Sequence, residues 1–349
     1  MTLLVTGGAG FIGSAIVEAA LREGEHVRVL DSLRADVHGS AVYKRPGVEF
    51  INGDVRDAAV VEYALDGIDT VCHQAAKVGL GVDFSDAPDY VSSNDHGTAV
   101  LLAAMAAQGV QRLVVASSMV VYGEGAYVGV NGITRPAARK VEDLDAGRFD
   151  PRDENGELLE PTLIDEDAPL DPRNVYAATK LAQEHLASSW ARSTGGTVAA
   201  LRYHNVYGPG MPQNTPYAGV ASLFRSAIER GEAPRVYEDG GQRRDFVHVR
   251  DVASANLAAI DWTLDAAPGT FRAYNVGSGT VHTIGDLARA IAATAGLTPV
   301  TTGEYRLGDV RHITASSSRL KVELGWSPSI SFEDGMREFA TAPLRAAVQ

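Results

Sequence analysis

The sequence of 349 residues contains a single cysteine, Cys72. One cysteine excludes an internal disulfide and a thiolate zinc cluster. Cys72 lies in an apolar run, residues 69–73, so we interpret it as a buried core thiol. The chain also lacks an apolar run of membrane-spanning length, and its glycine-rich turn begins at Gly7, where a signal peptide would lie. We therefore expect a cytoplasmic protein that does not bind a membrane.

The chain also lacks an excess of basic residues. The chain has 44 acidic and 31 basic residues, and its formal net charge is −13. Nucleic acid requires a basic surface, so we exclude it as a partner. A small anionic ligand remains compatible, because a few local arginines can outweigh the average field. At this length, with 45% apolar residues, the chain can bury a large core and is expected to form two lobes.

The first 31 residues form a predicted strand–helix–strand unit. Residues 1–6 and 26–30 are apolar and predict buried strands, and residues 14–23 have helical composition. The turn between the first strand and the helix contains Gly7, Gly10 and Gly13. The first glycine allows a tight turn, the second lets a pyrophosphate approach the backbone, and the third lets the helix lie close to the strand.

Asp31 ends the second strand, about twenty residues after the glycines. Its carboxylate can accept both ribose hydroxyls of an adenosine and would repel a 2′-phosphate. The unit therefore predicts a bound dinucleotide, and Asp31 favours NAD over NADP. Only the neighbouring Arg34 would favour NADP, because an arginine can bind a 2′-phosphate.

Two aspartates follow the third predicted strand, residues 48–51. Asp54 could accept a hydrogen bond from the adenine amino group, or it could cap the helix predicted over 58–65. We assign the adenine contact to Asp54 and the cap to Asp57. Small residues over 74–79 then follow the fourth strand, where a cofactor would lie over the strand ends.

Strands and helices alternate along the first 200 residues, which predicts an α/β fold with a Rossmann-like, doubly wound parallel sheet. We expect residues 1–203 to form the NAD-binding domain. Residues 204–349 are expected to form mainly a smaller α/β substrate-binding lobe. The segment of about 245–265 is expected to return to the first domain.

Residues 124 to about 170, called the excursion below, interrupt this alternation. They are rich in charge, glycine and proline, and Asn155-Gly156 predicts a hairpin turn. The segment is too long for a plain connector. It could be an ordered surface excursion or an active-site cover, or it could be a passive insertion.

Tyr176 and Lys180 begin a predicted helix that extends to about residue 192. Residues four apart share one helix face. With twelve tyrosines and five lysines in the chain, roughly 0.2 such pairs are expected by chance, so an ordinary exposed helix is the competing interpretation. The dinucleotide turn upstream and the serine-bearing end of the fifth strand favour a functional pair.

The second lobe carries arginines among glycine-containing turns. Arg244, Arg306 and Arg311 together suit a diphosphate, because guanidinium groups bind phosphate with two hydrogen bonds. His248 lies in an apolar strand and is expected to be structural. Asp251 is expected to cap the helix predicted over 252–262.

Together these motifs resemble the extended short-chain dehydrogenase/reductase family, which includes nucleotide-sugar epimerases and dehydratases. The matching positions are Gly7–Gly13, Asp31, Asp54-Val55, the strand end at Ser118, Tyr176 with Lys180, Asn205 and Arg244-Asp245-Phe246. The excursion, with residues 217–220 and 308–312, resembles bacterial 4-epimerases of dTDP-L-rhamnose-like sugars. Some of those relatives carry cysteines in the excursion, whereas this chain has none.

The resemblance implies a catalytic set of Ser118, Tyr176 and Lys180. Tyr176, as a phenolate, would take the proton of the sugar 4-hydroxyl while hydride leaves C4 for the nicotinamide. A tyrosine of ordinary pKa, about 10, is a poor base at neutral pH. Lys180 and the positive nicotinamide ring would favour the phenolate, and Ser118 would hydrogen-bond the reacting oxygen.

The resemblance also implies the residues around the two ligands, and no metal. The residues expected at NAD are Gly7, Gly10, Phe11, Ile12, Gly13, Asp31, Ser32, Asp54, Val55, Gln74, Ala75, Ala76, Lys77, Asn94, Ser117, Tyr176, Lys180, Tyr203, Asn205 and Val206. Those expected at the nucleotide sugar are Val78, Ser118, Met119, Tyr176, Asn205, Val220, Tyr237, Arg244, Arg306 and Asp309.

The residue types at the positions of Met119 and Val120 distinguish the subfamilies of this family. Dehydratases and decarboxylating relatives place carboxyl groups directly after this serine, and Met119 and Val120 cannot replace them. The sequence therefore predicts an NAD-dependent nucleotide-sugar 4-epimerase acting on a UDP- or dTDP-hexose. Alternatives are a nucleotide-ketosugar reductase or other NAD-dependent oxidoreductase, and a non-catalytic NAD-sensing protein. The helices over 98–107 and from Tyr176 commonly form a dimer interface in this family, so a homodimer is expected.

Overall fold

The computed structural model describes residues 1–39, 43–79, 83–213 and 219–345. Positions 217 and 218 of the 217–220 motif lie outside the described residues. In the described part of the chain, no helix is long and apolar enough to cross a membrane.

Outside the excursion, strands and helices alternate as predicted over the first 203 residues. The strands are β1 Thr2–Thr6, β2 His26–Asp31, β3 Val48–Asn52, β4 Thr70–His73, β5 Arg112–Ser118, β6 Ala126–Gly129, β7 Gly132–Thr134, β8 Glu160–Thr162, β9 Thr197–Tyr203, β10 Asn205–Tyr207, β11 Arg235–Val236, β12 Arg243–His248, β13 Phe271–Val276, β14 Val281–Thr283 and β15 Val300–Thr301. The helices are α1 Phe11–Arg22, α2 Ala35–His38, α3 Ala58–Leu65, α4 Ala87–Tyr90, α5 Gly97–Gln108, α6 Val141–Asp145, α7 Val175–Thr194, α8 Val220–Glu229, α9 Val249–Asp265, α10 Ile284–Ala293, α11 Ser318–Leu324 and α12 Phe332–Thr341.

The described residues build a central sheet of seven strands in the order β3-β2-β1-β4-β5-β9-β13. Every neighbouring pair in it is parallel. In β1, Val5 lies opposite Val29 on one side and Cys72 on the other. The order of the strands reverses between β1 and β4, and ligands bind at such a switch point in open parallel sheets.

Helices cover both faces of the sheet, which explains why its strands are continuous apolar runs. All seven residues of β9 are buried. Residues of α1 and α9 share one hydrophobic cluster with β1, and residues of α3, α5 and α7 share a second cluster on the other face. Cys72 is fully buried in the first cluster, as predicted.

Two elements beyond residue 203, α9 and β13, pack with the central sheet. Beyond α9, strand β13 also joins the sheet, where Tyr274 lies opposite Leu201. The second lobe contains a small sheet, β10-β12-β14. It also has a core formed by α8, α10 and α12.

The cap predicted for α9 is wrong. The helix begins at Val249, and the His248 side chain accepts a hydrogen bond from the Arg250 amide. Asp251 instead accepts hydrogen bonds from the backbone amides of Ser329 and Ile330. The carboxylate therefore ties the C-terminal region to α9, whereas His248 is structural as expected.

The excursion is an ordered surface element. Strands β6, β7 and β8 form an antiparallel sheet. Asp153 stabilises the turn at Asn155-Gly156 by accepting from the amides of Asn155 and Glu157.

Candidate active site

A cleft of about 380 Å³ lies at the carboxyl ends of the parallel strands. It joins the predicted cofactor residues to the predicted catalytic residues. The predicted cofactor residues that line it are Gly7, Gly10, Phe11, Ile12, Gly13, Asp31, Ser32, Asp54, Val55, Gln74, Ala75, Ala76, Lys77, Ser117, Tyr176, Lys180, Tyr203 and Val206. Of the predicted substrate residues, Val78, Ser118 and Tyr176 line it as well.

The glycine-rich turn has the shape that a dinucleotide requires. Gly7 has a φ of +68°, which favours glycine. A Cβ at Gly13 would lie 2.2 Å from the Gly7 carbonyl oxygen, so helix α1 can begin here only without a side chain at that position. The cap residue Gly10 offers no side chain to the first amides of α1. Those amides can therefore bind phosphate.

Asp31 lies at the next strand end and is 8% exposed. Its carboxylate accepts hydrogen bonds from the amides of Ala9 and Leu33, at 3.0 and 2.9 Å. Arg34 donates to Asp36 and Asp89, which neutralise its charge. Arg34 is thus already paired, and the region favours NAD over NADP.

The two aspartates after β3 differ in their partners. Asp57 caps α3 by accepting from the amides of Ala59 and Val60, as predicted. Asp54 lines the cleft, but it also accepts from the Arg56 guanidinium, which lowers the pKa of its carboxyl. Contact between Asp54 and adenine remains a prediction.

The two asparagines lie outside the cleft lining. Asn94 is fully buried; its side chain accepts from the Lys77 amide and donates to the Lys77 carbonyl oxygen and to Thr179. The Asn94 amide thus holds the loop of Lys77 in place, and contact between Asn94 and NAD stays a prediction. The Oδ1 atom of Asn205 is buried and has no hydrogen-bond partner among the described residues.

Ser118, Tyr176 and Lys180 meet at one end of the cleft. Ser118 ends β5, whereas Tyr176 and Lys180 lie one turn apart on α7. A hydrogen bond with Ser118 lowers the pKa of Tyr176, but burial outweighs it and raises that pKa to about 12. The Lys180 ammonium donates to the Ala116 carbonyl oxygen at 2.9 Å, and burial lowers the pKa of Lys180 to about 7.

Helix α7 places Lys180 close to the Tyr176 ring. Its ammonium lies 5.9 Å from the centre of that ring and donates to a backbone carbonyl. That Lys180 favours the Tyr176 phenolate stays a prediction. Burial has the largest effect on the pKa of Tyr176 and favours the neutral phenol.

A buried ion pair between Arg202 and Glu184 stabilises these strand ends. The Arg202 guanidinium donates to both carboxylate oxygens of Glu184, at 2.9 and 2.7 Å, and Ser117 donates to the same carboxylate at 2.5 Å. Arg202 also donates to the Tyr122 hydroxyl. The network joins α7 to β5 and β9, directly beneath Ser118 and Lys180.

The remaining predicted substrate residues lie outside the cleft lining, and their contact with a nucleotide sugar stays a prediction. Met119 follows β5 and Val220 begins α8. The Arg306 guanidinium lies 5.2 Å from the centre of the Tyr237 ring. The backbone carbonyl of Asp309 accepts from Arg139, an excursion residue that sequence reasoning missed.

Arg244 and Arg311 have opposite surroundings. Arg244 donates to the carbonyl oxygens of Arg243, Val310 and Arg311, and no carboxylate among the described residues forms an ion pair with it. Arg311 is 1% exposed and donates to three carboxylates, those of Asp150, Glu238 and Asp239. The prediction of a diphosphate at Arg311 is wrong, because its charge already joins the excursion to the second lobe.

Comparison with known proteins identifies the family. Residues 3–277 match the model of the NAD dependent epimerase/dehydratase family. The chain belongs to this family. It is 37% identical to a dTDP-L-rhamnose 4-epimerase from Burkholderia thailandensis, over 97% of this chain and 94% of that protein.

Solved structures agree with this assignment. The UDP-glucose 4-epimerase of Thermus thermophilus, in complex with NAD, is 32% identical with a TM-score of 0.76, over 97% of this chain and 98% of that one. A UDP-N-acetylglucosamine 4-epimerase from Methanobrevibacter ruminantium, in complex with UDP-N-acetylmuramic acid, is 29% identical with a TM-score of 0.79, covering 97% and 96%. The predicted fold, family and NAD dependence are confirmed.

His204 and Arg345 are among the cleft-lining residues of this epimerase/dehydratase that sequence reasoning missed. Arg345 reaches it because the C-terminal segment pairs with the chain after β10; its amide donates to the Met211 carbonyl oxygen and its own carbonyl accepts from Gln213. Its guanidinium donates to the Ala9 carbonyl oxygen at 2.9 Å. Its Nη1 atom is buried and has no partner in the described ranges.

Substitution Arg345→Met is expected to weaken NAD binding by about tenfold, because the guanidinium stands beside the glycine-rich turn with one donor left over for an anion. Titration of NAD into cofactor-stripped protein by calorimetry measures the affinity. Arg337→Met is the matched control, since Arg337 is exposed on α12 and pairs only with Asp334 among the described residues. Equal NAD affinity in both variants would contradict the expectation.

Proposed function

We propose that this chain is a nucleotide-sugar 4-epimerase, which oxidises C4 of a UDP- or dTDP-hexose and reduces it again from the opposite face. The observation that carries the proposal is the meeting of Ser118, Tyr176 and Lys180 at one end of the dinucleotide cleft. Similarity to the two 4-epimerases of known structure and to the dTDP-L-rhamnose 4-epimerase supports it.

Each residue has a role that follows from its surroundings. Tyr176 takes the proton of the sugar 4-hydroxyl as C4 is oxidised, and returns it when C4 is reduced. Ser118, whose side chain lowers the pKa of Tyr176, hydrogen-bonds the reacting oxygen. Bound NAD supplies the hydride acceptor and a positive ring whose charge favours the Tyr176 phenolate. Lys180, whose ammonium donates to the Ala116 carbonyl oxygen, is assigned to the nicotinamide ribose.

The diphosphate of the substrate is assigned to Arg244 and Arg306. Arg244 is held in place by three carbonyl oxygens, so its charge is oriented without being neutralised. Arg306 is exposed and lies against Tyr237. A guanidinium of this kind suits phosphate oxygens.

Elimination is disfavoured by the residues that follow Ser118. A dehydratase needs an acid there to expel the 6-hydroxyl, and Met119 and Val120 carry no ionisable group. Met119 packs against the cluster that contains Val121 and Ile313. The proposal therefore keeps epimerisation ahead of dehydration.

The test is incubation with UDP-glucose, UDP-galactose and dTDP-L-rhamnose without added reductant, followed by NMR of the sugars. A C4 epimer formed with no net change in NADH is the expected result. A dehydrated sugar, or NADH formed in proportion to product, would replace the proposal with a dehydratase or an oxidoreductase. Binding of every sugar without turnover would indicate a non-catalytic NAD-binding protein.

The protein is further proposed to form a homodimer through α5 and α7. Small residues are exposed along both helices, Ala103, Ala106 and Ala107 on α5 and Ala178 on α7. Small side chains let helices approach closely. Light scattering at micromolar concentration is expected to give twice the chain mass of 36.9 kDa, and Ala106→Arg to shift it to one chain mass. A wild-type monomer would refute the dimer.

A further inference from the structure

His204 is a cleft residue whose ring nitrogens have no hydrogen-bond partner in the described part of the protein. It directly follows β9 and is 4% exposed. It lines the same cleft as Ser118 and Tyr176. Both ring nitrogens are buried, and neither has a hydrogen-bond partner among the described residues.

Burying the two ring nitrogens without hydrogen bonds costs free energy, unless a ligand supplies the missing partners. Buried polar groups are nearly always hydrogen-bonded, since water is lost when they are buried. A neutral imidazole carries one N–H donor and one acceptor nitrogen. Burial, with a smaller effect of the Arg244 charge, lowers the pKa of His204 to about 3, so the ring stays neutral over the working range of pH.

The neighbours of His204 indicate which ligand completes it. Arg244 acts on the ring from the second lobe, which is the proposed side of the substrate diphosphate. The preceding residue, Tyr203, instead donates to Gln74 and Asn256 on the first domain's side. A ring that needs both a donor and an acceptor, in the cleft that Ser118 and Tyr176 also line, suits the hydroxyls of a sugar ring.

We propose that His204 is a sugar-binding residue, whose two ring nitrogens hydrogen-bond hydroxyls of the hexose and hold it beside Ser118 and Tyr176. The proposal rests on the proposed function, because it takes the ligand of the cleft to be a nucleotide sugar. It adds a residue that selects for hydroxylated sugars, since a ligand without those hydroxyls would leave both nitrogens buried and unsatisfied.

The test compares His204→Phe, which keeps a ring and removes both polar atoms, with His204→Gln, which restores a donor and an acceptor. Calorimetry of the NAD-loaded protein measures binding of dTDP-glucose and UDP-glucose, each against free dTDP and UDP. His204→Phe is expected to weaken binding of the sugar nucleotides about tenfold and to leave the free nucleotides within about twofold. His204→Gln is expected to recover most of the loss.

His26→Phe is the matched control, because His26 is exposed at the start of β2. Unchanged sugar-nucleotide affinity in His204→Phe would overturn the proposal. So would an equal loss for sugar nucleotides and free nucleotides, or a loss of NAD affinity alone, which would place the ring at the cofactor. If His204→Phe does not fold, failure of His204→Gln to bind sugar nucleotides more tightly than free nucleotides, where the wild type does so, would also overturn it.

These measurements need no turnover, so they separate two possible failures. Sugar-dependent binding that depends on His204, without any C4 epimer formed, would refute the proposed reaction and keep the binding residue. Epimer formation with full affinity in His204→Phe would refute the binding residue and keep the reaction.

Discussion

Substitution Tyr176→Phe is expected to lower kcat by about 10²–10⁴-fold, the usual worth of a positioned general acid–base group. The change removes one oxygen and keeps the ring, which packs near Tyr90 with 6.2 Å between ring centres. Affinity for NAD and for the nucleotide sugar should therefore stay close to that of the wild type. Initial rates of epimer formation, with calorimetry for both ligands, measure the two effects separately.

The same variant should also lose a pH dependence. Because the protein alone raises the pKa of Tyr176 to about 12, the phenolate is scarce at neutral pH. The wild-type kcat is thus expected to rise with pH as the loaded enzyme ionises Tyr176, whereas the variant should show no such rise. Tyr63→Phe, at an exposed tyrosine, is the control. A variant within threefold of the wild-type kcat would show that another group takes the proton.

Local chemistry explains what the sequence could predict. Helix α3 has the predicted bounds and its predicted cap, since an aspartate before an apolar helical run satisfies amides two and three residues away. The glycine-rich turn and Asp31 meet because a short strand–turn–helix unit brings them together. Lys180 was found by a spacing of four on one helix.

Contacts between distant segments could not be predicted in this way. Arg311 binds carboxylates that are 161, 73 and 72 residues away in the sequence. The residues next to Arg311 in the sequence do not predict these partners. Arg345 reaches a carbonyl 336 positions away. His204 has an ordinary strand-end setting, and its significance comes from polar atoms left unpaired in the folded chain.

The excursion illustrates the same limit at a larger scale. Its composition predicted a surface element but left its role open. Arg139 joins it to Glu238 at 2.5 Å, and Glu124 accepts from the amides of Arg311 and His312. Through these contacts the excursion stabilises the loop that contains Asp309, which lies beside the proposed diphosphate site. A passive insertion would leave that loop unsupported by buried ion pairs.

Substitution Arg202→Met is expected to lower the free energy of unfolding by about 3–5 kcal/mol, because it strands the Glu184 carboxylate in the core. The side chains of both residues are 4% exposed. Arg22→Met breaks an exposed pair with Glu18 on α1 and should change stability by less than about 0.5 kcal/mol. Urea unfolding at fixed NAD concentration measures both, since bound cofactor itself stabilises the fold.

The double variant Arg202→Met/Glu184→Gln decides whether the loss comes from an unpaired charge or from lost packing. Removing both charges leaves no uncompensated ion in the core, so at least half of the stability is expected to return. The amide of glutamine can still accept from Ser117, which now donates to Glu184 at 2.5 Å. A double variant no more stable than Arg202→Met would show that the arginine acts through its packing and its bond to Tyr122, and that the charge of Glu184 is of little consequence.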